Sequence, residues 1–507
     1  MGTPPPLAAG FQPRTPLREP IDTARREGTT RFVLSGGAGV GKTQLAASYA
    51  TAAPSGDSAE VVVWIPATDL QAVIGQFARA ARRVGVPGAD GRSLEGDARA
   101  FLGWLATTDK RWLVVLDGLM DMEGIRPWWP PDGMVTGLTL VTTRRGRRRG
   151  WTWDGCLLMA VGPYTPDEAL AYVRARLASE GLEQLLDDQP EVFARALGCL
   201  PLAVTLATAC VISDRITTSA YLSRLSDHQL RLDESLPEWT DAGRGWPAIA
   251  TALQLSLDSA RRADPTGLVD TVLAITALLD PDGHPEALWQ TDAPLEHLAR
   301  LRWYGTDRQR PIGPRPDASE LRSALGFLHG YALIVHEPDA PVPMVRIHPL
   351  AARAIRATLD EDRLESAARA AADALVAVWP RVERGRAGFA ALLRANVGTL
   401  EAATGDQLRR SGAHPVLDRA GSSYLDAGLY GSAVEHWEGV AARSVALLGA
   451  EHPDTLTHGH HLAVALRNSG RVYDALTLAE QVHTDTERVL GPDHPNTLTA
   501  RRDLSLS

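Results

Sequence analysis

The chain has 507 residues, of which 44% are apolar and 22% are charged, a balance typical of folded domains and not of a disordered chain. At roughly 150 residues per domain, this length predicts three or four domains. The net charge of -9 argues against a protein that binds nucleic acid or an anionic membrane through its overall charge.

The sequence predicts a cytoplasmic protein without a membrane anchor. No apolar run reaches about 18 residues, and the first residues lack the basic start and apolar core of a signal peptide. The three cysteines, Cys156, Cys199 and Cys210, lie in apolar surroundings without metal-type spacing, as reduced core residues do.

The first third of the chain alternates short apolar runs with helical patterns. The runs predicted as strands are Arg31–Ser35, Glu60–Ile65, Arg111–Leu116 and Leu138–Thr142. Continuous apolar runs suit strands that are buried on both faces of a parallel sheet. We therefore predict a doubly wound α/β domain that ends near residue 158.

A glycine-rich segment follows the first predicted strand and precedes a helical pattern. It fits the pattern G-x-x-x-x-G-K-[ST], in which backbone N–H groups and a lysine bind phosphate groups and a hydroxyl ligates Mg²⁺. Asp117, at the end of a buried run 75 residues after Lys42 (117 − 42), is the predicted carboxylate of the Mg²⁺ site. The predicted nucleotide-binding residues of this segment are Gly36, Gly37, Ala38, Gly39, Val40, Gly41, Lys42, Thr43 and Gln44, with Thr43 and Asp117 at the metal.

Beyond residue 158 the patterns are mainly helical. Thr165–Glu180 begins with Thr165 as a predicted N-cap and Pro166 at the first helical position. Helical patterns continue over Glu191–Ile212, Trp246–Leu278 and Ser319–His336, and Met344–His348 is a predicted short strand. The region 240–360 has the size and element order of a winged-helix unit.

The C-terminal part contains a repeat. The ten residues from Leu448 match those from Leu490 at an offset of 42 residues (494 − 452 at the histidines). This period predicts helix pairs stacked as an α-solenoid. The last copy stops after one helix, and we expect another segment or a partner to cover its apolar face.

These patterns predict a multidomain α/β + α fold. It comprises a doubly wound parallel-sheet P-loop NTPase domain, a helical domain, a winged-helix domain and a C-terminal α-solenoid of tetratricopeptide-like repeats. The predicted boundaries are an N-terminal segment at 1–30, a nucleotide-binding domain at 31–158, a helical domain at 159–240, a winged-helix-like domain at 241–360, a helical connector at 361–410 and repeats at 411–507.

The order of the motifs resembles the NB-ARC class of STAND NTPases, in the type found in bacterial regulators, and the repeats resemble those of kinesin light chains. Besides the P-loop, the resemblance rests on Phe11-Gln-Pro-Arg14, Leu140-Val-Thr-Thr-Arg144, Leu197-Gly-Cys-Leu-Pro-Leu-Ala203, two segments from Trp246 and Leu279, and Val345-Arg-Ile-His348. The resemblance implies that Arg144 faces the γ-phosphate, that Pro201 lies against the nucleotide and that His348 touches the β-phosphate of ADP. It implies ATP or ADP with Mg²⁺ as cofactors and Lys42, Asp117 and Arg144 as the residues of slow ATP hydrolysis.

Two positions depart from the family pattern. Gly118 replaces the second acidic residue after the strand that ends in Asp117, and Asp121 is the nearest carboxylate that could substitute. Pro349 replaces the aspartate that follows the family histidine. Hydrolysis is therefore predicted to be slow or absent, while nucleotide binding needs only the loop, the lysine and the metal ligand.

Two functions of different classes follow from the sequence. The first is a signalling switch that is closed with ADP and is opened by a protein or small molecule on the repeats, with self-association after opening and a separate effector partner. The second is a tetratricopeptide interaction scaffold in which the nucleotide is a structural ligand. A transcription regulator is a weaker alternative, since the chain is acidic overall and the arginines at 145 and 147–149 read as a solvated loop.

A histidine cluster offers a further alternative. His458-Gly-His460-His461 could hold a metal ion, but these residues lie on the first helix of a repeat, where we expect exposed polar positions.

Overall fold

The computed structural model describes residues 1–51, 59–67, 70–89, 91, 93–120, 122–133, 136–144, 155–187, 190–232, 246–301, 315–340, 342–383, 385–410 and 412–504. They form two compact units. The first comprises Met1–Ala263 and Leu328–Leu333, and the second comprises Asp264–Phe327 and Ile334–Ser507.

A parallel five-stranded sheet is the centre of the first unit, as the sequence predicts. Its strands are ordered β2-β3-β4-β1-β5 and all neighbouring pairs are parallel. The strands are β1 (Arg31–Ser35), β2 (Val61–Pro66), β3 (Trp112–Asp117), β4 (Gly137–Thr143) and β5 (Leu157–Ala160). β5 was not predicted, and the predicted boundary at 158 falls inside it.

Both faces of this sheet are buried, which explains the continuous apolar strands. Val33 packs in one core cluster with Phe77 and Phe101, while Phe32 and Leu34 point the opposite way and are also fully buried. The helices of this part are α1 (Thr15–Arg26), α2 (Lys42–Ala50), α3 (Leu70–Val84), α4 (Leu94–Leu105), α5 (Met122–Ile125), α6 (Pro166–Ser179), α7 (Pro190–Ala196), α8 (Pro201–Asp214), α9 (Thr218–Leu232) and α10 (Trp246–Ala263).

The predicted start of α6 is confirmed. The Thr165 side chain accepts from the backbone N–H of Glu168, and the Glu168 carboxylate accepts from the backbone N–H of Thr165. This capping box satisfies N–H groups that the first helical turn leaves without an intrahelical partner.

The second unit contains a small antiparallel sheet of order β6-β8-β7, with β6 (His284–Pro285), β7 (Ile334–Glu337) and β8 (Met344–Ile347). The prediction of a helix over Ser319–His336 is wrong at its end, because β7 pairs with β8. The chain leaves the helix through Ala332, which has a left-handed φ of 56°. The later helices are α11 (Val269–Leu278), α12 (Asp292–Leu301), α13 (Ala318–Gly330), α14 (Pro349–Ala357), α15 (Glu361–Val378), α16 (Ala387–Thr404), α17 (Pro415–Asp426), α18 (Tyr430–Leu448), α19 (Pro453–Asn468), α20 (Val472–Leu490) and α21 (Pro495–Leu504).

The repeat prediction corresponds to the helix pairs α17/α18 and α19/α20, followed by α21. The backbone repeats with the sequence, since Gly449 and Gly491 end α18 and α20 with φ values of 92° and 90°. Among the described residues, no helix is both long and apolar enough to cross a membrane.

Candidate functional site

The segment between β1 and α2 has the backbone that glycine permits. Gly39 and Gly41 have left-handed φ values of 76° and 89°, and a Cβ on Gly36 would lie 2.2 Å from the carbonyl oxygen of Val161. Gly41 is the N-cap of α2, and within the described chain no side chain caps this helix. The loop therefore brings backbone N–H groups and the positive end of a helix dipole to one place, which suits an anion.

Lys42 places its ammonium on this loop. Its Nζ donates hydrogen bonds to the carbonyl oxygens of Gly36 (3.0 Å) and Gly37 (2.7 Å). Burial, followed by the positive charge of Arg144, lowers the pKa of Lys42 to about 8, and the negative charge of Asp117 opposes this shift. Arg144 itself is exposed directly after β4, close enough to act on the lysine.

Asp117, at the end of β3, lies beside the start of α2. The Thr43 hydroxyl donates to Oδ1 of Asp117 at 3.0 Å, and the Thr142 hydroxyl donates to the same oxygen. Burial raises the pKa of Asp117, and the two hydroxyl hydrogen bonds and Lys42 oppose the increase. A hydroxyl and a carboxylate at this separation form a set of oxygen donors that fits Mg²⁺.

Gly118 has a structural role at the position where the family has an acid. Its φ is 77°, and its backbone N–H donates to the Thr142 hydroxyl oxygen at 2.8 Å. A residue with a Cβ is strained in this conformation. Asp121, the predicted substitute carboxylate, lies outside the described residues.

Two helices contact the glycine-rich loop from the helical part of the first unit. The backbone N–H of Leu202 donates to the carbonyl oxygen of Gly39 at 3.2 Å, and Pro201 begins α8 next to Gly41. Ile249 of α10 lies close to the same glycine, since its Cδ1 would be 3.3 Å from a Cβ on Gly39. Pro201 thus touches the loop itself, and its contact with a nucleotide stays a prediction.

The segment that precedes β1 also reaches the loop, through a side chain whose role was not predicted. Arg14 is 6% exposed and donates to the carbonyl oxygens of Val40 (3.2 Å), Gly162 (3.0 Å) and Pro163 (2.9 Å). Its guanidinium also lies 3.3 Å from the Glu168 carboxylate. The sequence marked Arg14 through the family pattern only, because backbone acceptors leave no signature in a sequence.

Gln44 was predicted as a nucleotide contact, and the structure shows its amide in other contacts. Its Oε1 accepts from the backbone N–H of Ala8 at 2.7 Å, and its Nε2 donates to the carbonyl oxygen of Pro6 at 3.0 Å. The side chain of Gln44 therefore holds the N-terminal segment against the start of α2.

His348 belongs to the second unit, where it is the N-cap of α14. Its Nδ1 accepts from the backbone N–H of Leu350 at 3.1 Å, and Pro349 occupies the first helical position. Proline is favoured there, which gives a local reason for the departure from the family aspartate. The predicted contact of His348 with a β-phosphate stays a prediction.

The histidine cluster on α19 differs from its prediction. His458 was expected at an exposed position, but it is buried, with 1% of its surface exposed. Its Nδ1 is 2.9 Å from the Ser444 hydroxyl. His461 stacks on Trp437 with ring centroids 4.6 Å apart. These histidines pack between helices of the solenoid.

A parallel sheet with a glycine-rich loop, a lysine and a hydroxyl–carboxylate pair at the ends of its strands defines a P-loop protein. Residues 416–454 and 455–496 match a family model described as tetratricopeptide repeat. The chain is 26% identical over 464 residues to a nucleotide-binding leucine-rich repeat (NLR)-like protein of Hyaloscypha variabilis, covering 84% of this chain and 42% of that protein. The chain thus spans about two fifths of the relative's length.

Two solved structures are similar at low identity. One is a signal transduction ATPase with numerous domains (STAND) with a tetratricopeptide repeat sensor from Pyrococcus horikoshii, with a TM-score of 0.42 and 12% identity over 99% of this chain and 77% of that chain. The other is Cdc6p from Pyrobaculum aerophilum, with a TM-score of 0.29 and 14% identity over 71% of this chain and 98% of that chain. The repeat match and the relative confirm the resemblance drawn from the sequence motifs, a STAND/NB-ARC P-loop NTPase with C-terminal tetratricopeptide repeats.

Proposed function

We propose that the chain is a nucleotide-dependent switch of the STAND class. It binds ADP or ATP with Mg²⁺ on the loop from Gly36 to Thr43, and the nucleotide selects between two arrangements of the segments around that loop. The name of the Hyaloscypha variabilis relative, a nucleotide-binding protein, supports this proposal.

The observation that carries the proposal is that three separate segments meet on one short loop. Arg14 precedes β1 and donates to the carbonyl oxygen of Val40, and Leu202, in the first turn of α8, donates to that of Gly39. Ile249 of α10 lies close to Gly39. A ligand that changes the shape or charge of this loop acts on all three segments. Differential contact with two arrangements is what a ligand needs to shift their populations.

Different residues of the site bind different parts of the Mg²⁺–nucleotide complex. The loop N–H groups and Lys42 bind phosphate oxygens, and Thr43 and Asp117 hold Mg²⁺, which neutralises phosphate charge when bound. Arg144 contributes charge toward the terminal phosphate. The repeats serve as the surface for a protein or small-molecule trigger, as stacked helical repeats form extended binding surfaces.

Nucleotide content tests binding directly. The protein is purified without added nucleotide and denatured, and released ADP and ATP are quantified beside Lys42→Ala and Lys110→Ala. Lys110, the other lysine of the chain, is exposed and makes a matched control. We expect near-stoichiometric nucleotide in the wild type and Lys110→Ala and its loss in Lys42→Ala. A wild type that neither retains nor binds added nucleotide contradicts the proposal.

The alternative is a scaffold with a structural nucleotide, and it is favoured by the presence of Gly118 in place of the second acidic residue. Hydrogen exchange distinguishes the switch from this scaffold. In a switch, peptides containing Arg14, Leu202 and Ile249 exchange at different rates with ADP and with a non-hydrolysable ATP analogue. In a scaffold, the nucleotide does not exchange and these rates are the same. That second result rejects the switch.

A further inference from the structure

The turn after β3 is joined to the end of β4 by three hydrogen bonds that involve Gly118 and Leu119. Besides the bond from Gly118 to the Thr142 hydroxyl, the backbone N–H of Leu119 donates to the carbonyl oxygen of Thr142 at 2.9 Å. The Thr143 hydroxyl donates to the carbonyl oxygen of Leu119, also at 2.9 Å. Asp117 therefore lies at the start of a turn whose backbone is fixed to the neighbouring strand.

One hydroxyl in this network both accepts and donates. The Thr142 oxygen accepts from the Gly118 N–H, and its O–H donates to Oδ1 of Asp117. Thr142 as a whole is 1% exposed, so water has little access to these bonds. The accepted bond fixes the direction in which the Thr142 proton points, which is toward the carboxylate.

We infer that Thr142 is a positioning residue that orients the Asp117 carboxylate for Mg²⁺, and that Gly118 is the residue that makes this arrangement possible. The inference rests on the proposed function, in which Asp117 serves the metal. Thr43 shares the same carboxylate oxygen but is itself a predicted metal ligand. Thr142 is the hydroxyl that can hold Asp117 whether or not the metal is bound.

The backbone conformation at position 118 gives a physical reason for the glycine there. An acidic residue there would have to adopt a φ of 77°, which glycine adopts without strain. Every residue except proline has this backbone N–H, and glycine directs it at Thr142 without strain. Partners outside the ligand shell commonly change metal affinity, because they fix the orientation of the ligand.

The test compares Thr142→Val and Thr142→Ser. Affinity for ADP is measured by calorimetry with excess Mg²⁺ and again with EDTA, so that the ratio reports the metal's contribution. Valine keeps the branched shape and removes the hydroxyl, and serine restores it. We expect Thr142→Val to reduce the Mg²⁺-dependent gain in affinity on the order of 10- to 100-fold, with EDTA affinity little changed and with rescue by Thr142→Ser.

Thr139 provides a matched control on the same strand. It is fully buried, and its hydroxyl finds no hydrogen-bond partner among the described residues. Thr139→Val should retain the Mg²⁺-dependent gain of the wild type. If Thr142→Val does not fold, Gly118→Ala is the second variant, because it keeps every hydroxyl and strains only the turn, and we expect the same Mg²⁺-specific loss.

The outcomes separate this inference from the function on which it rests. A normal Mg²⁺ gain in Thr142→Val, or in Gly118→Ala where that variant is used, overturns the positioning role and leaves nucleotide binding intact. An equal loss with Mg²⁺ and with EDTA also overturns it, since the effect is then general. A wild type that binds no ADP in either condition overturns both proposals.

Discussion

The surroundings of Lys42 disfavour the charged form of its side chain. Burial and Arg144 lower its pKa to about 8, so the ammonium begins to lose its proton just above neutral pH. Phosphate binding requires the charged form, and a bound polyanion raises the pKa again. Below pH 8 binding therefore takes up no proton, and above it each pH unit costs up to about tenfold in affinity.

We expect the Kd for ADP to be constant from pH 6.5 to 7.5 and to rise between pH 8 and 9.5, as measured by calorimetry. Arg144→Gln is the informative control, because removing the neighbouring charge raises the pKa of Lys42 and moves the midpoint of the pH dependence upward. An unchanged Kd across this range, or the same midpoint in Arg144→Gln, contradicts this description of the lysine.

At the scale of residues, the sequence predicts those positions at which only one residue type provides the required chemistry or backbone conformation. Glycine at positions 39 and 41, followed by a lysine and a hydroxyl, forms a pattern that is typical of a phosphate-binding loop. Arg14 and Thr142 were not predicted in their roles, because their partners include backbone atoms of distant segments. Such partners become known only when the fold brings the segments together.

Among the described residues, four helices begin with a histidine N-cap followed by proline. The Nδ1 atoms of His348, His414, His452 and His494 each accept from the backbone N–H two residues later, at 3.1 to 3.2 Å. The sequence repeat showed two of them, and His414 begins α17 as an earlier copy. The cap at His348 uses the same local geometry outside the repeats.

The histidine caps are expected to contribute to the stability of the repeats. His452→Ala removes the acceptor of the Asp454 N–H and should lower the free energy of unfolding of the solenoid by about 1 kcal/mol. His452→Asn should be close to neutral, since asparagine is a strong N-cap. Urea unfolding with hydrogen exchange at the start of α19 checks both variants, and equal stability of the alanine and asparagine variants contradicts the capping role.

At the scale of elements, the sequence predicts those with a uniform pattern. β1 to β4 are continuous apolar runs, and α6 has its own cap. β5 is apolar as well, but it is only four residues long, and its pairing with β1 at the sheet edge decides its structure. α1 contains Pro20 and few apolar residues, with Ile21 buried, so its sequence resembles a polar loop. β7 follows a helix with no polar break, and its pairing with β8 decides its structure.

At the scale of the whole molecule, buried histidines make the stability of one of its two units depend on pH. In the second unit, His284 is fully buried, and the indole N–H of Trp289 donates to its Nε2 at 3.1 Å. Burial, followed by the nearby His336, lowers the pKa of His284 to about 3. Burial, followed by Arg300, lowers the pKa of His297 to about 4, and its Nδ1 is 3.0 Å from the Ser366 hydroxyl.

Both histidines therefore make the second unit sensitive to acid. In the unfolded chain they take up protons near pH 6.5, whereas in the folded unit they stay neutral to about pH 3 and 4. Their contribution to stability is complete above pH 6.5. It falls as the pH decreases below that value, by roughly 1.4 kcal/mol per pH unit for each histidine, because the unfolded state binds more protons.

His284→Gln tests this dependence, since glutamine can accept from Trp289 and does not titrate. Between pH 6 and 4.5 we expect its unfolding free energy to fall less steeply than that of the wild type, by about 1.4 kcal/mol per pH unit. The measurement is urea-dependent hydrogen exchange on peptides of the second unit, because two units need not unfold in one transition. His336 and Glu286, whose side chains are 2.9 Å apart, are unchanged in the variant. The two proteins differ at His284 alone, so parallel slopes would mean that His284 takes up its proton as readily in the folded unit as in the unfolded chain.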